Sequence, residues 1–168
     1  MKRRLILGFC VFFFISSILS CTWSNKSERN DLLSKQRINT FAQQLTSMAG
    51  RAKKYIDTKT IAFVIFIYTD DIFVQAASDE PDRIVIDLPV NIMSGDKINI
   101  LREIFSGGVY ENYAFKPNGP KELISYQIYY QNTDMQKNIH KAAAAIDDIF
   151  LKVFGLKSDY SEIKIKTG

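Results

Sequence analysis

The chain has 168 residues, 46% apolar, 24% charged and 12% aromatic, a globular composition that excludes collagen-like, low-complexity and mostly disordered chains. One domain is expected, because domains typically hold about 100–150 residues. The formal charge of +4 drops to +1 if Lys2, Arg3 and Arg4 leave with a leader, since Lys+Arg then falls from 22 to 19 against 18 acids; no basic field then points to nucleic acid.

Met1-Lys2-Arg3-Arg4 is a positive n-region, and residues 5–19 (LILGFCVFFFISSIL) form an uncharged, largely apolar run. That run is shorter than the roughly 20 residues a helix needs to span a bilayer. Ile18-Leu19-Ser20-Cys21 follows and ends in small residues, as a cleavage site should. This quartet resembles the lipobox of bacterial lipoproteins. The resemblance implies a signal peptide over residues 1–20, cut between Ser20 and Cys21. It also implies a diacylglycerol (diglyceride) thioether on Cys21 and an N-acyl chain such as palmitate on the new amine. An ordinary secretory signal with a chance cysteine, or an uncleaved anchor helix, would show the same run.

Cys10 lies in the leader, so the mature domain would have no free thiol and no disulfide. Several acyl chains anchor stably, at about 0.8 kcal/mol per buried methylene. Thr22 stands where Asp would retain an enterobacterial lipoprotein in the inner membrane. The resemblance therefore favours the outer membrane if the organism has one, and otherwise the outer face of the cytoplasmic membrane.

Residues 21–30 read as the lipidated cysteine and a polar, aperiodic tether. Trp23 in it suits either the headgroup level or an isolated exposed position. Asn30 or Asp31 can cap a helix in which Ile38, Phe41, Ala42, Leu45, Met48 and Ala49 share a face, with Gly50 as its stop. Residues 61–68 (IAFVIFIY) form an unbroken apolar strand, which predicts burial on both faces. Thr69-Asp70-Asp71 turns the chain into a second strand over 72–77, and residues 78–82 (SDEPD) turn it into an alternating third strand over 83–88.

Ser94 caps a short helix with Ile98, Leu101, Ile104 and Phe105 on one face, stopped by Gly107-Gly108. Residues 109–115 and 123–130 are strands around the turn Lys116 to Pro120. Thr133 or Asp134 caps a last helix whose stripe is Ile139, Ala142, Ala143, Ile146, Phe150, Val153 and Phe154, with Gly155 at its C′ position. Residues 157–168 are a polar tail, in which Ile163 and Ile165 suit a short edge strand. One α+β domain over 31–156 is expected, an antiparallel five-stranded sheet packed by helices in the order α-β-β-β-α-β-β-α.

Chemistry is sparse. His140 is the single histidine, so no metal or nucleophile arrangement surrounds it in the sequence. The acid pairs Asp70-Asp71 and Asp79-Glu80 lie in turns, and Asp147-Asp148 is expected to face water from the last helix. No catalytic residue, metal ligand or cofactor is assigned beyond the lipid on Cys21. Tyrosines are concentrated on the strands, where aromatic residues are favoured and where they also suit interfaces. Tyr126 and Tyr130 share a face with Ile124 and Ile128 and read as core. Tyr68, Tyr110, Tyr113 and Tyr129 are the candidates for a partner-binding surface.

The element order resembles the type III secretion chaperone-like fold, and within it the TY-Chap group. The residues that carry this are Phe73-Val74-Gln75, Asn91, Leu101 and the closing Ile149-Phe150-Leu151-Lys152-Val153-Phe154-Gly155, over roughly residues 32–156. The Gly-Trp that often follows the short helix in that group is replaced by Gly107-Gly108-Val109. The resemblance implies a non-catalytic module that binds a polypeptide, often as a homodimer. The expectation is a membrane-anchored, chaperone-like or assembly-accessory lipoprotein that binds an envelope protein or peptide. A structural surface lipoprotein, or a small envelope hydrolase using carboxylates and His140, are the alternatives. A binding module predicts an exposed apolar patch, and an enzyme predicts a cleft of convergent polar groups.

Overall fold

The computed structural model describes residues 5–55, 61–80, 82–114 and 119–168, with side chains described from Lys26 on except those of 53–55 and 79. The expected n-region, most of the turn Lys116 to Pro120, the end of the fourth strand at Phe115, and Pro81 lie outside the described residues, as do the side chains of Cys10, Ser20, Cys21 and Trp23.

Helix α1 (Leu5–Tyr55) runs through both of its expected boundaries. Residues 22–30 are helical rather than an irregular spacer, and the helix continues past Gly50. Gly50 is exposed, and a Cβ there would meet nothing within 4 Å. It therefore costs only the intrinsic glycine penalty of about 1 kcal/mol, which burial of Ala49 and Ala52 on either side offsets.

Strands β1 (Ala62–Thr69), β2 (Ile72–Glu80) and β3 (Arg83–Pro89) form an antiparallel meander. A 3-10 turn and the short helix α2 (Gly95–Ile104) lead to β4 (Val109–Ala114) and β5 (Glu122–Gln131). Helix α3 (Met135–Asp148) is capped by Asp134, whose carboxylate accepts from the Lys137 N–H at 3.1 Å. It closes in a π-helical turn over Ile149–Val153, and Gly155, at φ +70°, supplies the left-handed exit its position predicts.

The sheet has six strands, not five, in the order β4-β5-β3-β2-β1-β6. The additional strand, β6 (Lys164–Thr167), comes from the expected polar tail and pairs antiparallel with β1. The domain therefore extends past residue 156. The tail returns because Tyr160 is buried in the core and pins it there.

All three helices lie on one face of the sheet. Ala62, Val64 and Phe66 of β1, Ile84, Ile86 and Leu88 of β3, and Ile128 of β5 point into that layer and are buried. Phe41 of α1 meets the Phe66 ring edge-on at 4.9 Å and lies 6.2 Å from Phe150. This aromatic knot joins α1 and the turn that closes α3 to strand β1. Ile124 shares strand parity with the buried Tyr126 yet is exposed. A register shift against β4 between Asn112 and Tyr113 makes Ile124 the extra residue, which turns it out of the core.

Candidate functional site

Alternation along the strands sends half of the side chains to the face that no described helix covers. Cross-strand pairs lay these out in rows. Lys166, Ile65, Gln75, Asp87, Gln127 and Tyr110 form one row across the sheet. Lys164, Ile67 and Phe73 form a second, and Ala77, Val85 and Tyr129 a third. Phe63, Ile65, Ile67 and Phe73 are half-buried. The run 61–68 is therefore covered by helices on one side only, not on both as its composition predicts.

The open face has three zones: aliphatic and aromatic over β1 and β2, polar at the centre, and aromatic over β4 and β5. At the centre, Asp87 Oδ1 accepts from Ser125 Oγ at 2.6 Å and from Gln127 Nε2 at 2.8 Å. Asn112 Nδ2 donates to Ser125 Oγ at 3.2 Å, and Tyr129 OH donates to Gln127 Oε1 at 2.5 Å. Each group satisfies another, so no activated nucleophile is left over. His140 is exposed on α3, across the sheet from Ser125 and Asp87, so the three form no triad. Among the described residues, no cluster of His, Cys, Asp and Glu has metal-site geometry.

The sequence-chosen tyrosines separate. Tyr110 and Tyr129 meet on the open face as an edge-on pair 5.3 Å apart, 53% and 40% exposed, with the Arg83 guanidinium 5.7 Å from the Tyr129 ring. Tyr113 points to the helix side, where its OH donates to Glu111 Oε2 at 2.5 Å and Arg102 Nη2 pairs with Glu111 at 2.6 Å. The hydrogen bond to Glu111 raises the Tyr113 pKa. Tyr68 is exposed at the opposite edge, edge-on to Tyr160 at 6.3 Å. Cys21 and Ser20 fall within α1, their side chains outside the described set.

The sequence reading missed a buried clasp. Asp147 is only 3% exposed, not facing water. It accepts from Arg37 Nε at 2.6 Å, Ser34 Oγ at 2.8 Å and Tyr160 OH at 2.6 Å. Arg37 also donates to Ser158 O at 2.9 Å, and its guanidinium lies 4.2 Å from the centre of the Tyr160 ring. Burial lowers the Arg37 pKa, but the hydrogen bond and charge of Asp147 outweigh it and the net shift is upward. Arg37 makes four hydrogen bonds inside the protein, so the clasp ties α1, α3 and the returning tail. The signal was present in the spacing: Arg37 sits four residues before Phe41, and Asp147 four after Ala143 and three before Phe150, all on apolar stripes. A cavity of about 190 Å³ remains beside the clasp, between α1 and the tail, lined by Leu33, Arg37, Phe41, Tyr160, Ile163 and Ile165.

No protein-family model matches the sequence, and neither a curated protein nor a solved structure is significantly similar to it. Among the residues whose side chains are described, no helix is long and apolar enough to cross a membrane.

Proposed function

We propose that the protein is a bacterial lipoprotein, held at the cell envelope through acylated Cys21, that binds a protein or peptide and catalyses no reaction. The observation that supports it best is the sheet face left open by the helices, with Phe63, Ile65, Ile67 and Phe73 half-buried at one end and Tyr110 and Tyr129 at the other. Exposed apolar and aromatic surface of this kind marks interaction sites. The internally satisfied polar centre favours binding over chemistry. A chaperone-like or assembly-accessory role follows, with a type III secretion chaperone-like architecture as the finer fold assignment and a homodimer compatible with it. The lipid concentrates the module near membrane partners, so a modest affinity suffices.

A crosslinked pull-down of the lipidated chain from native membranes tests this, with Cys21→Ser as the unanchored control. One dominant protein partner, reduced in the control, is expected. A membrane-bound wild type that captures none would leave the structural surface lipoprotein as the better reading.

A further inference from the structure

The edge of β1 is filled in an unusual way. Residues 164–168 lie along it in register, with Val64 opposite Thr167 and Phe66 opposite Ile165. Phe63 and Gly168 exchange two hydrogen bonds, each 3.2 Å from N to O. Yet Lys164, Ile165, Lys166 and Thr167 are all exposed. The strand is held by its backbone, whose hydrogen bonds contribute little net against water, whereas β1 beneath it carries the buried Ala62, Val64 and Phe66. The firm attachment of the tail lies earlier, at the buried Tyr160.

We propose that the outer side of β1 is an acceptor for an extended peptide strand, and that residues 164–168 fill it in cis as an exchangeable strand. This rests on the peptide-binding reading above and locates its site. Strand addition of this kind draws affinity from main-chain hydrogen bonds and specificity from alternate side chains. Two features define the peptide that fits. Its residue at the Ile165 position faces the cavity of Leu33 and Phe41 and is apolar. Its residue at the Gly168 position is best glycine, because a Cβ there would lie 2.3 Å from Phe63 Cζ and the ring would have to swing aside.

The acceptor also tolerates an empty interval. Arg51 Nη2 donates to the Phe63 carbonyl at 3.2 Å, so that oxygen keeps a partner when the Gly168 N–H departs. The two lysines of β6 discourage a further strand from adding beyond it, which confines exchange to the β1 side.

Hydrogen exchange on the full mature chain is the first test. The Phe63 and Gly168 N–H groups, each of which donates to the other residue's carbonyl across this edge, should exchange at least a hundredfold faster than the Ile86 amide at the sheet centre. Equal rates would mean the strand leaves only on global unfolding, and would overturn the proposal. The second test uses a labelled peptide of residues 161–168. A chain ending at Ile163 should bind it at least tenfold more tightly than the full chain does, and a Gly168→Val peptide should bind at least tenfold more weakly. Equal binding to both chains would also overturn it. If the shortened chain does not fold, the exchange rates of the full chain decide alone. Peptide exchange without an envelope partner in the pull-down would sink the binding-module reading and leave the acceptor standing; a partner captured without exchange would do the reverse.

Discussion

The Arg37–Asp147 pair is the most consequential contact at the scale of single residues. Both side chains are more than nine-tenths buried, at 8% and 4% exposure. Asp147→Ala strands a buried guanidinium, and the expected cost is about 3–5 kcal/mol, because half of a buried pair is worse than none. Urea unfolding reads this as a lower midpoint at unchanged slope. The double variant Arg37→Met with Asp147→Leu should recover most of the loss, since apolar replacement of a buried pair is often near neutral. A double variant as unstable as the single would show that the clasp contributes more than charge compensation. Tyr160 in the same cluster gives a pH signature. Its pKa is raised above the ordinary tyrosine value by burial and by the hydrogen bond to Asp147, and burial with the nearby Asp148 charge pushes Tyr130 up to about 12. A raised pKa means that the folded state keeps its proton after the unfolded chain loses it. The stabilisation is therefore complete below about pH 10 and is lost as pH rises beyond that. The urea midpoint should fall between about pH 10 and 12, and fall less steeply in Tyr160→Phe. Identical slopes would remove Tyr160 as the cause.

At the scale of elements, legibility followed whether the deciding interaction was local. The meander β1–β2–β3 was readable because turn chemistry at Asp70-Asp71 and alternation in β3 are short-range signals. The helix start at Asp134 and the exit at Gly155 are readable for the same reason. The ends of α1 were not. Asn30, Asp31 and Gly50 carry cap and stop chemistry, but a helix already propagating from Leu5 overrides a cap, and burial of Ala49 and Ala52 overrides a glycine. Strand β6 was only hinted at by Ile163 and Ile165, because its partner lies about a hundred residues away in β1 and none of its own side chains is fully buried. The open face is concealed by composition: an apolar run looks the same whether or not a helix covers its second side. Of the four candidate tyrosines, strand parity correctly sent Tyr129 outward, where Tyr110 joins it, but parity alone could not say that Tyr113 faces the helix layer beside Glu111.

Taken as a whole molecule, the topology sets how the domain would stand on a membrane. Helix α1 runs antiparallel to β1: Arg37 lies by Tyr160, which neighbours Tyr68, and Arg51 reaches Phe63 at the other end. The N-terminal end of α1 therefore leaves the domain beside the β1–β2 turn. The turn between β2 and β3, and the start of α3, lie at the far end, where Asn138 Nδ2 donates to Asp82 O at 2.9 Å. Lys26, Glu28, Arg29, Asp31 and Leu32 are exposed on the helix before the first clasp residue, Ser34. With Cys21 acylated, the thirteen residue-to-residue steps from Cys21 to Ser34 would set a stand-off of about 20 Å, at about 1.5 Å of rise each. That stand-off would hold the open sheet face side-on and accessible above the lipid. If residues 1–20 are removed and Cys21 carries the lipid, no free thiol remains in residues 22–168, so single cysteines give specific labels. A donor at Asp71→Cys should transfer energy to a membrane-surface acceptor more efficiently than one at Thr133→Cys. Breaking the stalk with Glu28→Pro should narrow the difference, because a bent tether lets the domain tumble. Equal transfer from both positions in the unbroken chain would refute a helical stand-off and restore a flexible tether over residues 22–30.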